Sequence, residues 1–266
     1  MSRVCILTDS TAQFTRKDFP GNERVFVIPL GLEPPPVEKG PPPNRLNPPV
    51  IQDFTRFYST LSKEFDGVLV LVLSERFNPT AEVARKASHL YNNHVAVQVV
   101  DSQTTAAGLG MLVEIAAGIA NTGASLETVE QQVRAALSHV YMLLCIPELT
   151  RLVGLGLLTQ TQAVVGEMLG MLPVFMVEDG FLTPLEKVRT PRHLFESFQE
   201  YMAEFTAPKR IALLRGTSQI TLRTRPLRLY VQENFPDTIY SEHSLNPHLA
   251  ALFGPQSIGL VVMDPA

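Results

Sequence analysis

The sequence predicts an α/β protein in two parts, a parallel-sheet α/β domain over residues 1-147 and a second domain of mixed α and β over residues 148-266. Three observations carry this expectation. The run Val68-Leu69-Val70-Leu71-Val72-Leu73 is six consecutive Val and Leu residues. It has no polar face, so as a strand it must be covered on both sides, as the central strand of a parallel sheet is. Strand-like and helix-like segments alternate from Arg3 to Ile146, the pattern of crossovers in a doubly wound sheet. Past Pro147 the alternation changes: Pro173–Val177 and Phe181–Lys187 flank Glu178-Asp179-Gly180, and Gly after Asp between two strands signals a hairpin.

Taken in order, Arg3–Leu7 reads as a first strand ending in Thr8-Asp9-Ser10-Thr11, and Val25–Leu30 as a second. Pro34-Pro35-Pro36, Pro41-Pro42-Pro43 and Pro48-Pro49 follow. Such a run favours polyproline II and excludes helix and central strand, so it reads as a binding loop or, alternatively, a linker. Helix Ile51–Phe65 leads to the Val68–Leu73 strand, which stops at Ser74. Asn78-Pro79 then suits a helix start, because Asn is a favoured N-cap and Pro tolerates the first helical position. Helix Pro79–Asn92 and strand Val95–Val100, ending in Asp101-Ser102, come next. Helix Ala106–Ala120 is apolar nearly all round, which predicts burial. Helix Leu126–Ser138 and strand Val140–Ile146 complete the first part. In the second part a short helix carries Leu149 and Leu152, an amphipathic helix spans Gln160–Met171, and the hairpin follows. Thr190-Pro191 opens a helix to Phe205. Strands Arg210–Leu214, Thr238–Tyr240 and Ser257–Met263 then alternate with a Pro226-interrupted helix and helix Pro247–Leu252.

The composition narrows function. The net charge is -4, with 22 Lys+Arg against 26 Asp+Glu, and no basic cluster marks a nucleic-acid surface. No apolar stretch approaches a membrane span. The opening residues lack the apolar region and cleavage site of a signal peptide, so a cytoplasmic location is expected. Cys5 and Cys145 sit in apolar strand-like runs and read as buried, reduced thiols. Enzyme signatures are thin. Ser74 lacks the Gly-x-Ser-x-Gly elbow, and the six His show no pair at metal-ligand spacing. Gly108-Leu109-Gly110 lies within a helical pattern and has Val113 where a third dinucleotide-binding Gly belongs; no Walker-type phosphate loop exists. No catalytic group, cofactor or metal is expected.

One constellation remains. Asp9-Ser10-Thr11, Ser74 and Asp101-Ser102 each stand at the C-terminal tip of an expected strand, and in a parallel sheet those tips share one edge. Small hydroxyls and free N–H groups there suit a carboxylate or phosphate. Taken singly, each reads first as an ordinary turn former or cap, and it is the threefold recurrence that points to an anion site.

At this point the chain resembles the DegV family of bacterial fatty-acid-binding proteins over essentially its whole length. Val4–Ala12 (VCILTDSTA) is similar to the family's opening strand and Asp-Ser-Thr loop, and Ile28-Pro29-Leu30 to its second strand. Leu71–Thr80 resembles its strand leading to Ser-Ser-x-Leu-Ser-Gly-Thr, and Val99–Gly110 its Asp-Ser strand end and Gly-containing helix. Leu172-Pro173, Glu178-Asp179-Gly180 and Lys187-Val188-Arg189-Thr190 resemble its Pro strand, Asp-Gly hairpin and Lys-x-Arg-Thr. The resemblance implies a parallel-sheet domain and a second α/β domain on a largely antiparallel sheet, with a long-chain fatty acid between them. It further implies a carrier that presents the acyl chain to a separate fatty acid kinase subunit and supplies no ATP site.

The family's carboxylate-binding Thr falls on Arg45, the Arg of its Gly-Gly-Arg-Ile falls near Leu155-Gly156-Leu157 and is lost, and its C-terminal His is lost within Leu252-Phe253-Gly254-Pro255-Gln256. The expected lipid-binding residues are therefore Ser74, Thr80, Asp9, Ser10, Asp101, Ser102 and Arg189, with Met168 on a tail-binding wall. Arg45 joins them as a substitute whose guanidinium would hold the carboxylate through paired hydrogen bonds. Two alternatives stand beside the carrier: a homologue that has lost lipid binding and serves in protein–protein interaction, and a small-anion enzyme using the strand-tip cluster.

Overall fold

The computed structural model describes residues 2–32, 46–91, 95–154, 156–216 and 224–265. The chain divides into two compact units. One holds Leu46–Ser138 with the N-terminal strands, the other His139–Pro265.

The first unit is a four-stranded parallel sheet in the order β2 (Val25–Ile28), β1 (Val4–Asp9), β5 (Gly67–Val72), β6 (Ala96–Asp101). All of β5 is buried. Val68, Val70 and Val72 join Phe54, Tyr58, Ala81 and Ala84 in one core. The latter come from α1 (Ile51–Leu61) and α2 (Thr80–Leu90). Leu69 and Leu71 alternate to the opposite face, where α3 (Ala106–Asn121) and α4 (Leu126–Leu137) pack. Two short strands, β3 (Gly31–Leu32) and β4 (Leu46–Asn47), pair with each other.

The expectation of a buried α3 holds, and the wrapping loop explains why. A Cβ on Gly110 would lie 2.0 Å from the Gln13 carbonyl oxygen, so only glycine lets that loop approach. One turn on, the buried Glu114 carboxylate accepts from the backbone N–H groups of Thr15 (2.6 Å) and Arg16 (3.2 Å).

The second unit is a six-stranded sheet in the order β11 (Ile239–Ser244), β10 (Arg210–Arg215), β12 (Ile258–Met263), β7 (Val140–Cys145), β8 (Leu172–Glu178), β9 (Phe181–Val188). Only β10 and β11 pair in parallel, joined through α8 (Arg225–Asn234); the other pairings are antiparallel. One face packs against α7 (Pro191–Met202) and α8 through Leu194, Phe198, Leu227 and Val231. Thr190 caps α7, accepting from His193 N–H at 3.2 Å. The Asp179-Gly180 hairpin forms with both residues at positive φ (49° and 81°), which matches a type I′ turn.

Three expectations change. Val140–Cys145 was expected as the last strand of the first domain; it instead pairs with β12 and β8, so the chain divides after Ser138 and not after Pro147. An apolar strand buried on both faces fits either sheet, and only its distant partners decide which. Asn78 does not cap α2 with its side chain. Its Nδ2 donates to the Leu46 carbonyl at 2.6 Å and its Oδ1 accepts from Thr80 Oγ1 at 2.6 Å, which leaves Pro79 at the cap position. The amphipathic helix, α6 (Gln160–Met168), ends before Met171.

Candidate functional site

The strand tips of the first unit do converge, and they converge on one another. In the order β2-β1-β5-β6, the chain leaves β1 for one neighbour and later returns on its other side, so the switch point lies between β1 and β5. Asp9 closes it. Its buried carboxylate accepts from Leu73 N–H (2.7 Å) with one oxygen and from Thr11 N–H (2.8 Å) and Thr11 Oγ1 (2.6 Å) with the other. Thr105 Oγ1 donates to Thr11 Oγ1 at 3.0 Å. Ser10 Oγ accepts from Leu30 N–H at 3.0 Å. Ser74 is fully buried; its N–H donates to the Thr104 carbonyl (2.8 Å) and its Oγ accepts from Arg76 N–H (3.2 Å). Ser102 Oγ donates to the Thr104 carbonyl at 3.1 Å, and Thr80 Oγ1 donates to Asn78. Asp9, Ser10, Ser74, Asp101 and Ser102 are thus members of a hydrogen-bonded edge that ties the tips of four strands together, whereas Thr80 is bonded within its own turn to Asn78.

Asp101 behaves differently from the rest. Its Oδ1 accepts from Gln103 N–H (2.9 Å) and Glu75 N–H (3.3 Å), yet burial holds its carboxyl above the ordinary value of 3.8. The folded chain keeps this proton to higher pH than the unfolded chain does. Its contribution to stability is therefore lost as pH rises from the ordinary value through the raised one. Asp101→Asn keeps the acceptor oxygen and removes the titration. The variant should be more stable than the parent at neutral pH and lose the advantage in acid, as read from urea midpoints across pH. A parent that gains on the variant as pH rises would reverse the assignment.

A cavity of about 550 Å³ lies in the second unit between α6 and the β8–β9 hairpin. α6 contributes Thr161, Gln162, Val165 and Gly166, and the hairpin contributes Pro173, Phe175, Pro184 and Leu185. Leu149, Leu158 and Met171 close the lining, which is almost wholly carbon, and Glu186 and Lys187 are its charged members. Local sequence explains the shape. The Thr159/Gln162 capping box starts α6, with Gln162 N–H donating to Thr159 Oγ1 (3.3 Å) and Thr159 N–H to Gln162 Oε1 (2.9 Å). A Cβ on Gly166 would lie 2.3 Å from Leu149 Cδ1, so glycine lets Leu149 close against the helix. On the hairpin, Val174 pairs with Glu186 but Phe175 with Pro184, leaving Leu185 as the extra residue of a β-bulge. The bulge re-aims Leu185 into the cavity, and Pro184 is tolerated because β9 is an edge strand.

Other expected residues lie elsewhere. Met168 is 81% exposed and does not line the cavity; with Val164 and Leu169 it forms an outward apolar face of α6. Arg189 is exposed just past β9. Arg45 lies outside the described residues. The expectation that Met168 marks the tail-binding wall points to the wrong face of the helix, because the cavity takes the turn at 161, 162, 165 and 166. The clue was Pro184-Leu185 inside an expected strand, an irregularity that marks a bulge. Both cysteines are free and buried. Among the described residues no cluster could hold a metal ion, and no helix is long and apolar enough to cross a membrane.

With this geometry in place, comparison with known proteins decides the family. A model described as "Uncharacterised protein, DegV family" matches residues 41–264. The chain belongs to the DegV family. A DegV domain-containing protein of Staphylococcus aureus (strain COL) is 22% identical over 283 residues, covering 99% of each chain. Among solved structures, a fatty acid binding DegV family protein from Streptococcus agalactiae superposes with a TM-score of 0.81 at 18% identity, covering 100% of both chains. The Streptococcus pneumoniae Fatty Acid Kinase (Fak) B3 protein, loaded with linoleic acid, gives 0.80 at 15% identity over 100% of both. The parallel sheet and the mostly antiparallel second sheet are the fold that the DegV resemblance implies.

Proposed function

We propose that this chain binds a long-chain fatty acid, with the alkyl tail in the cavity between α6 and the β8–β9 hairpin. The observation that carries the reading is the cavity. Its volume of about 550 Å³ falls in the range of small-molecule sites, and its lining is apolar with charge confined to one strand segment. Each methylene moved from water into such a lining contributes about 0.8 kcal/mol, so a long alkyl chain gains most of its affinity there without polar contacts. The names of the two streptococcal neighbours, a fatty acid binding protein and a linoleate-loaded one, support the same ligand class.

The role that follows is that of a carrier. The pneumococcal neighbour carries a fatty acid kinase in its name, and this sequence has no Gly-x-x-x-x-Gly-Lys-Ser/Thr loop with which to hold ATP. A separate kinase subunit acting on the presented carboxylate is the partner this reading assigns. Mass spectrometry of lipid extracted from protein purified under non-denaturing conditions tests the ligand. A long-chain fatty acid near one equivalent is expected. Protein that carries no acyl species and does not take up palmitate when it is supplied would overturn the reading.

A further inference from the structure

We propose that Leu149, seated on Gly166, is the end-stop for the alkyl chain and sets the longest fatty acid that the cavity takes in full; the inference rests on the fatty-acid reading above. Exposure divides the lining into a floor and a rim. Leu149, Gly166, Pro173 and Phe175 are buried, whereas Thr161, Gln162, Val165 and Leu185 are exposed. The side chains of the floor carry no polar atom. A carboxylate buried against them would find no side-chain donor, so an amphiphile enters with its methyl end foremost.

Local geometry fixes how far Leu149 reaches. It stands just ahead of α5 (Thr150–Gly154), and its carbonyl accepts from Leu152 N–H at 3.0 Å. One residue further along each segment, Thr150 N–H donates to Glu167 Oε1 at 2.9 Å, which clamps this turn to α6 beside Gly166. Glycine inside a helix is unfavourable relative to alanine, and the close approach of Leu149 accounts for it here. A Cβ at 166 would lie 2.3 Å from Leu149 Cδ1 and 3.6 Å from Met171 Cε. Leu149 Cδ1 is the free end of a side chain, so an added methyl would swing it toward the open space that both residues line, which is the cavity. Pro173 and Phe175 offer no such adjustment of the floor by a neighbour, because their strand is paired on both sides. The depth of the cavity is therefore set by Leu149 and by what stands at 166.

The test measures affinity for saturated fatty acids from laurate to arachidate, by displacement of a fluorescent fatty acid. While a longer tail still finds room, each added methylene should tighten binding about fourfold, and the gain should stop where the methyl end meets Leu149. Leu149→Ala should move that stop to longer acids, and Gly166→Ala should move it to shorter ones. In the double variant the methyl at 166 takes up part of the space that leucine vacated, so the stop should return toward the parent's length. Gly166→Ala favours the helix, and Leu149→Val replaces Leu149→Ala with a smaller lengthening if the larger deletion fails to fold. A stop at the parent's length in Gly166→Ala and in the folded Leu149 variant, whatever their stability, overturns the end-stop and leaves the fatty-acid reading standing. Failure of the parent protein to bind any acid of the series overturns both.

Discussion

Asp9→Ala is expected to destabilise the parallel-sheet unit by roughly 3–5 kcal/mol, enough to remove most of the stability of an ordinary domain. The carboxylate is fully buried and serves three donors at once, Leu73 N–H, Thr11 N–H and Thr11 Oγ1. Alanine leaves two of these as buried backbone N–H groups with no acceptor, at about 1–3 kcal/mol each. Among the described residues Leu73 has no strand partner to take over, because β5 ends at Val72. Asp9→Asn should also destabilise, by less. Both oxygens of Asp9 are acceptors here, so the amide nitrogen must face a donor wherever it is placed. Ser10→Ala, which removes one acceptor from a partly buried bond, should cost about 1 kcal/mol. Urea denaturation followed by circular dichroism gives the ordering directly. An Asp9→Ala protein as stable as Ser10→Ala would show that the switch point closes without the carboxylate.

The second large effect concerns the cavity. Val165→Glu should weaken palmitate and hexadecanol alike by at least about a hundredfold, while changing folding stability by less than about 1 kcal/mol. Val165 is 50% exposed on α6 and lines the cavity, so its side chain stands where the tail must lie. Glutamate forms helix well, and a half-exposed site lets its charge reach water in the free protein. Occupation by an alkyl chain would strip that water, and desolvating a charge with no partner costs several kcal/mol. A hundredfold in affinity corresponds to about 2.8 kcal/mol. Hexadecanol keeps the tail and lacks the charge, so loss of both ligands reads the tail site and not the head group. Unchanged binding of hexadecanol in Val165→Glu would place the tail outside the α6 cavity.

Local pattern in the sequence determined most elements and some of their roles. Val68–Leu73 had no polar face and became a strand buried on both sides. Asp179-Gly180 allowed positive φ at two successive positions and became the hairpin turn. Thr190-Pro191 offered a cap and a first helical residue, and α7 starts there. In each case the information lies within a few residues, where steric limits and hydrogen-bond capacity act without distant partners. The tertiary structure decided what depends on those partners. Val140–Cys145 is apolar enough for either sheet, and its hydrogen-bonding neighbours β12 and β8 assign it to the second. Ser, Thr and Asp at strand tips serve equally as anion donors or as internal hydrogen-bond partners, and only the packed edge shows them bonded to one another. The cavity was the least legible feature. A groove arises from which face of α6 meets the sheet and where one bulged residue, Leu185, is turned, and neither is written in hydrophobic periodicity.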